Sequence, residues 1–187
     1  QVGHIVSPEF KGAGHPVVWL CPEYGPDGLP VAASLKKVYQ SVNRLMKKGK
    51  VLAAYTATFG GVAEAVLKMA LGNGIGFRFD EGCTLDELFA YSYGSFVLEL
   101  TEQEEIGLPL GVTTEEGSFT WREESIPLQE LQEAYEGKLE PIYPCNIAQG
   151  QKEIPTLSAH GDSWKKPLIK AAKPRVCLLY TSDAADE

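Results

Sequence analysis

The stretch VLAAYTATFGGVAEAVLKMALG, residues 51–72, decides the fold that this sequence predicts. Residues 51–55 are a short apolar run typical of a strand, and the pair Gly60-Gly61 marks a turn. From Val62 onward, apolar residues recur at helical spacing and fall on one face. Gly72 follows the last of them and predicts the end of the helix. The stretch therefore predicts a strand, a glycine turn and a helix in succession.

The glycine turn is a candidate anion site. Gly60 and Gly61 allow a ligand to approach the backbone closely, and the first N–H groups of the following helix point at that ligand. The positive end of the helix dipole lies behind them, and the usual anion at such a position is a phosphate. A second interpretation stays open, because a glycine pair at this place can serve only to make the turn tight.

Composition excludes several functional classes. The chain has 187 residues, of which 44% are hydrophobic, and this is enough for one domain with a real core. The net charge is −8, which argues against a nucleic-acid or membrane-surface partner, since such proteins usually carry a basic patch. No run of 18 apolar residues is present, so no membrane span is expected.

Cysteine and histidine spacing gives no sign of a metal site or of a catalytic triad. The four cysteines are scattered through the chain without a C-x-x-C pair and without a histidine at ligand spacing. We expect no protein metal ligands. Scattered cysteines in an acidic chain fit a reducing compartment, so a cytoplasmic location is expected. The cysteines are Cys21, Cys83, Cys145 and Cys177.

The order of the predicted elements indicates an α+β domain. Strands are expected at residues 16–21, 51–55, 75–79 and 94–100, with weaker candidates at 108–112 and 118–121. Helices are expected at residues 32–48, at 62–70, from a Thr84 capping box to about residue 91, and from Pro127 to Gly137. Several strands follow one another closely, which favours a two-layer α+β fold over a doubly wound sheet.

The last quarter of the chain differs in character. Residues 1–146 form the predicted domain, and the proline-punctuated residues 147–172 are predicted to be an extended linker. Residues 173–177 look like the first residues of another strand. Residues 178–187 have no amphipathic pattern and resemble an artefactual tail, with an ordinary acidic tail as the alternative.

Five segments, in this order and spacing, resemble the C-terminal domain shared by ATP-dependent purine-synthesis enzymes. They are VSPEFK at 6–11, GHPVVWL at 14–20, the glycine-turn helix, GSFVLE at 94–99 and residues 107–112. More narrowly, residues 1–176 are similar to the second of the two repeated C-terminal-type domains in the phosphoribosylformylglycinamidine synthase family. The segment KAAKPRV at 170–176 resembles the junction that leads into that family's glutaminase domain.

The resemblance implies a fold, an activity and partners. The fold is a ferredoxin-like sheet with helices on one face. The activity is the conversion of formylglycinamide ribonucleotide, glutamine and ATP into the amidine, with ATP and magnesium bound in the full enzyme. The implied partners are formylglycinamide ribonucleotide or an ADP phosphate, and adjacent ATP-binding and glutaminase domains. Because those domains are expected elsewhere, the chain alone is predicted to be a fragment without synthase activity.

The resemblance also bears on the site. It implies that Gly60 and Gly61 offer backbone N–H groups to a phosphate and that Thr58 adds its hydroxyl. Many relatives carry carboxylates just before the glycine pair, where this chain has Thr56 and Thr58, and a hydroxyl does not hold magnesium as a carboxylate does. We therefore assign binding residues but no catalytic residue and no metal ligand.

Two alternatives remain open from the sequence. The first is a sister enzyme with the same domain type, such as aminoimidazole ribonucleotide synthetase, selenophosphate synthetase or thiamine-phosphate kinase. The junction at Lys173 argues against it, because these enzymes lack a following glutaminase. The second is a scaffold domain that docks a glutaminase without an occupied site, which the missing carboxylates support.

Overall fold

The computed structural model describes residues 5–144 of the chain. The linker, junction and tail predicted for residues 147–187 lie outside the described residues, as do Cys145 and Cys177. The predicted boundary at residue 146 therefore stays a prediction. No helix among the described residues is long and apolar enough to cross a membrane.

Residues 5–144 form seven strands and four helices. The strands are β1 (Pro16–Leu20), β2 (Val51–Thr56), β3 (Gly76–Phe79), β4 (Phe96–Leu100), β5 (Leu108–Thr114), β6 (Ser118–Trp121) and β7 (Glu124–Pro127). The helices are α1 (Ala32–Lys47), α2 (Gly61–Leu71), α3 (Leu85–Phe89) and α4 (Leu128–Gly137). Every strand and helix expected within this range is confirmed, and β7 is an additional strand that its exposed, polar sequence did not reveal.

All seven strands belong to one mixed sheet in the order β2-β4-β1-β5-β3-β6-β7. Neighbouring strands are antiparallel except for β3 and β6, which are parallel. Sequence neighbours are therefore mostly not sheet neighbours, and only β6 and β7 form a hairpin. The α+β class is confirmed.

Helices cover both faces of the sheet, whereas the family resemblance implied helices on one face. Successive strand residues point to opposite faces. Val17 packs in the cluster that contains α2, and Val18 packs in the cluster that contains α1. In β4, Val97 and Leu98 divide between the two clusters in the same way. Because both faces of the central strands are apolar, each needs a helix to exclude water.

Local signals at the helix ends behave as expected. Helix α1 ends before Gly49, which has a φ of 68°. At the start of α3, the Thr84 hydroxyl accepts a hydrogen bond from the Glu87 N–H at 3.3 Å. The Glu87 carboxylate in turn accepts one from the Thr84 N–H at 3.0 Å. This reciprocal capping box satisfies two backbone donors and fixes the start of a helix of only five residues.

Candidate functional site

The predicted glycine turn lies between the end of β2 and the start of α2, as expected. The Gly61 N–H donates to the Thr58 carbonyl at 3.1 Å and thereby closes the turn. The predicted donor from Gly61 is therefore already used within the turn. The first residue of α2 lies against the C-terminal end of α3, which is about 30 positions further along the chain.

Gly61 is required by packing. Its φ is 71°, in the left-handed region that glycine adopts at little cost. A Cβ atom at this position would lie 2.6 Å from the Leu88 carbonyl oxygen and 2.9 Å from that of Ala90. The missing side chain lets the end of α3 approach the first turn of α2. The close backbone approach inferred from the glycine pair is thus present, but the group that approaches is protein backbone.

The side chain of Glu64 occupies the position predicted for an anion. Its Oε2 accepts hydrogen bonds from the Gly60 N–H at 2.7 Å and from the Thr58 hydroxyl at 2.9 Å. Its Oε1 lies 2.6 Å from the Lys68 Nζ, one helical turn further along. Two of the three predicted phosphate ligands, Thr58 and Gly60, therefore converge on one anionic oxygen.

The pKa of Glu64 reflects these contacts. The hydrogen bond from Lys68 lowers the pKa most, partial burial acts in the opposite direction, and the bonds from Gly60 and Thr58 lower it further. The pKa of Lys68 is raised, chiefly by the same carboxylate. Glu64 is consequently an ionised capping group at neutral pH. An external phosphate at this turn has to displace it or share its donors.

The turn does not fit a resident divalent cation. Its carboxylate, Glu64, is already paired with a lysine and with two hydrogen-bond donors. Across residues 5–144, no group of three or more histidine, cysteine, aspartate or glutamate side chains is placed to hold a metal ion.

A cavity of about 520 Å³ opens beside the turn, with Gly60 and Glu64 at its edge. Sequence reasoning missed it because its walls come from three helices and three strands, most of which are distant from one another in sequence. The remaining lining is almost entirely apolar: Ala63, Leu67, Phe79, Leu85, Leu88, Phe89, Phe119, Thr120, Trp121, Glu124, Ile126 and Leu131. A signal present in the sequence is the i, i+3 spacing of Leu85 with Leu88 in α3 and of Leu128 with Leu131 in α4, which places each pair on one helix face.

A second polar cluster lies where β1 begins and β4 ends. The carboxylate of Glu99 is fully buried and accepts two hydrogen bonds from the Lys11 N–H, at 2.9 and 3.1 Å. The Nδ1 atom of His15 lies 2.7 Å from Glu99 Oε1. The Thr113 hydroxyl accepts a hydrogen bond from the His15 N–H at 2.9 Å. Glu99 thus holds the segment before β1 against the sheet. Nothing in the sequence indicated that His15 and Glu99 would lie next to each other.

Comparison with known proteins gives a consistent set of relatives, although no protein-family model matches the chain. The phosphoribosylformylglycinamidine synthase subunit PurL of Methanothermobacter marburgensis is 30% identical over 169 residues. The match covers 73% of this chain and 24% of that protein, so the chain spans about a quarter of its relative's length.

Solved structures share the fold. The crystal structure of phosphoribosylformylglycinamidine synthase II from Thermotoga maritima superposes with a TM-score of 0.56 at 16% identity, over 80% of this chain and 30% of that one. The T. maritima PurL complexed with FGAR gives 0.56 at 14% identity, over 83% and 33%. The T. maritima PurL complexed with ATP gives 0.55 at 16% identity, over 68% and 27%. The resemblance noted from the sequence is confirmed.

Proposed function

Because this chain belongs to the phosphoribosylformylglycinamidine synthase family, we propose that it is a domain of the enzyme that makes formylglycinamidine ribonucleotide in purine biosynthesis. In the proposed reaction, formylglycinamide ribonucleotide, ATP, glutamine and water yield the amidine, ADP, phosphate and glutamate. The curated relative named for this activity and the solved relative complexed with FGAR support the proposal. Solved relatives complexed with ATP and ADP support a nucleotide as a second ligand.

Within that enzyme, this domain contributes a phosphate-binding turn formed by Thr58, Gly60 and Gly61. The observation that carries this assignment is the convergence of the Thr58 hydroxyl and the Gly60 N–H on one carboxylate oxygen of Glu64. A phosphate oxygen has a similar charge and accepts the same hydrogen bonds. Gly61 shapes the turn through its backbone conformation and closes it with its N–H.

The turn positions a ligand and carries out no proton transfer. In the proposed chemistry the substrate amide oxygen is phosphorylated and ammonia then displaces that phosphate. Such steps depend on orientation and on stabilising charge more than on a protein nucleophile. We assign no catalytic residue among the described residues. Magnesium, the glutaminase that supplies ammonia, and a cytoplasmic location belong to the proposal for the whole enzyme, and the 187-residue chain alone is expected to be inactive.

A scaffold role is the second candidate, and a specific observation favours it. Glu64 already satisfies the donors of the turn, and Gly61 is explained by its contact with α3. A domain that docks its neighbours without binding a ligand needs nothing more at this position. The two candidates differ in whether a free phosphate group competes with Glu64.

Calorimetric titration of the full chain with formylglycinamide ribonucleotide and, separately, with ADP distinguishes them. We expect one ligand to bind and Thr58→Val to weaken it about tenfold, since one hydrogen bond to a charged group is worth about 1.5 kcal/mol. Thr101→Val, an exposed threonine in the turn after β4, is the matched control and should leave affinity unchanged. If a folded, monodisperse chain binds neither ligand, the scaffold role replaces the phosphate site.

A further inference from the structure

The charges of this chain are segregated around helix α1. No aspartate or glutamate occurs from residue 28 to residue 63, whereas each of the other three helices within residues 5–144 carries at least one glutamate. The same stretch holds six of the 17 lysines and arginines: Lys36, Lys37, Arg44, Lys47, Lys48 and Lys50. A purely positive segment therefore lies in a chain whose net charge is −8.

The exposed side of α1 gathers five of these cations. Val38, Val42 and Leu45 are buried against the sheet and define the opposite side of the helix. The exposed side, which we call the basic face, consists of Lys36, Lys37, Gln40, Asn43, Arg44, Lys47 and, directly after the helix, Lys48. Residues four positions apart advance a helix by about 6 Å, so the cations extend over about 18 Å of one stripe.

The cations of the basic face have no anionic partner within residues 5–144. The ion pairs in this part of the chain involve none of the five, whereas Lys50, beyond the helix, pairs with Glu102 and Glu104. A shallow depression of about 410 Å³ lies on the face, and its lining contains no carboxylate. The lining residues are Gln40, Asn43, Arg44, Lys47 and Lys48.

Helix stability accounts for only part of this pattern. Arg44 and Lys47 lie in the last turn, where the negative end of the helix dipole favours cations. Lys36 and Lys37 lie in the second turn, nearer the positive end, and gain nothing from the dipole. Like charges four residues apart repel, as for Arg44 and Lys48, and α1 has no acidic side chain that relieves this repulsion. Negative charges from another molecule would relieve it.

The surroundings of the face distinguish between classes of anionic partner. Single-stranded nucleic acids usually stack their bases on aromatic rings, but the ring of Tyr39, the aromatic residue of α1, packs edge-on against Phe96 of β4. All 25 acidic residues of the chain lie outside residues 28–63 and would repel a long polyanion such as a duplex. A short acidic protein segment contacts the basic face alone and is repelled less.

We propose that the basic face of α1 binds an acidic segment of a partner protein, with carboxylates spaced at about 6 Å as on one stripe of a helix. The lysines and Arg44 pair with these carboxylates, and the amide groups of Gln40 and Asn43 donate further hydrogen bonds. The inference is independent of the phosphate site, because α1 and α2 pack on opposite faces of the sheet.

The test uses the full chain and a fluorescently labelled alanine-based peptide of about 16 residues, with glutamates four residues apart. Fluorescence anisotropy gives the affinity, which should fall at least about fivefold between about 50 and about 300 mM salt. Arg44→Glu combined with Lys47→Glu should weaken binding at least about tenfold. Arg122→Glu combined with Lys138→Glu, which changes the net charge equally at exposed cations outside α1, should alter it by less than about twofold.

Three comparisons decide the outcome. Absence of binding by the glutamate peptide, or equal binding of a peptide with glutamine in its place, overturns the proposal. So does a labelled single-stranded RNA that binds the face more tightly than the peptide does. A salt-dependent dimer in sedimentation that Arg44→Glu with Lys47→Glu converts to monomer also overturns it, because a second copy then occupies the face. Circular dichroism confirms that each variant is folded.

Discussion

Replacing Gly61 by alanine tests the reason for the glycine pair. An L-residue held in the left-handed conformation costs about 1–2 kcal/mol. The new Cβ would also lie 2.6 Å from the Leu88 carbonyl oxygen, so α3 has to shift. Overpacking of this kind typically costs about 1–3 kcal/mol. We therefore expect Gly61→Ala to lower the free energy of unfolding by about 2–5 kcal/mol.

Gly74→Ala is the matched control. Gly74 also has a left-handed φ, 67°, but a Cβ there would meet nothing within 4 Å. It should show the conformational cost alone, about 1–2 kcal/mol. Urea unfolding followed by circular dichroism measures both. The free energy of unfolding of such a domain falls by about 2 kcal/mol per molar urea. If the two variants differ by about 2 kcal/mol in that free energy, the unfolding midpoint of Gly61→Ala lies about 1 M below that of Gly74→Ala. Equal midpoints would refute the packing explanation.

Three further predictions concern the polar contacts. Lowering the pH from 4.5, the ordinary carboxyl pKa, through the lower pKa that Glu64 has in the folded chain should destabilise the wild-type chain more than Glu64→Gln, because protonation removes the stability that the lowered pKa contributes; parallel acid titrations check this. Glu99→Ala should lower the free energy of unfolding in urea by about 2–4 kcal/mol, since it leaves the Lys11 N–H and His15 without their buried partner. A loss below about 1 kcal/mol would contradict the role of Glu99 in holding the segment before β1. Thr84→Ala should cost about 1 kcal/mol and increase amide exchange in α3 alone.

The glycine turn shows where sequence and structure agree and where they differ. Strand, turn and helix were predictable because an apolar run, a glycine pair and a 3.6-residue period are local signals. The group that lies at the α2 N-terminus was not predictable, since the Glu64 side chain is equally suited to face solvent or to fold back on Gly60. Side-chain rotamers of that kind depend on neighbours such as Thr58 and Lys68 in three dimensions.

The sheet gives the same lesson at a larger scale. Six of the seven strands were predictable one by one, but the order β2-β4-β1-β5-β3-β6-β7 rests on pairings between residues as distant as Pro16 and Val112. The run VVWL in β1 is apolar at successive positions, which is a sign of a strand covered on both faces. That sign was present in the sequence, whereas the identity of the two covering helices was not.

By itself the sequence determined every described element except β7, their boundaries to within a few residues, the α+β class and the family resemblance, because all of these depend on local pattern and on the order of motifs. Only the tertiary structure decided that Glu64 occupies the turn, that Gly61 makes room for α3, and that α3, α4 and the β6–β7 hairpin line a largely apolar cavity beside the turn. These features arise where segments distant in the chain meet, and no periodicity within one segment encodes such a meeting.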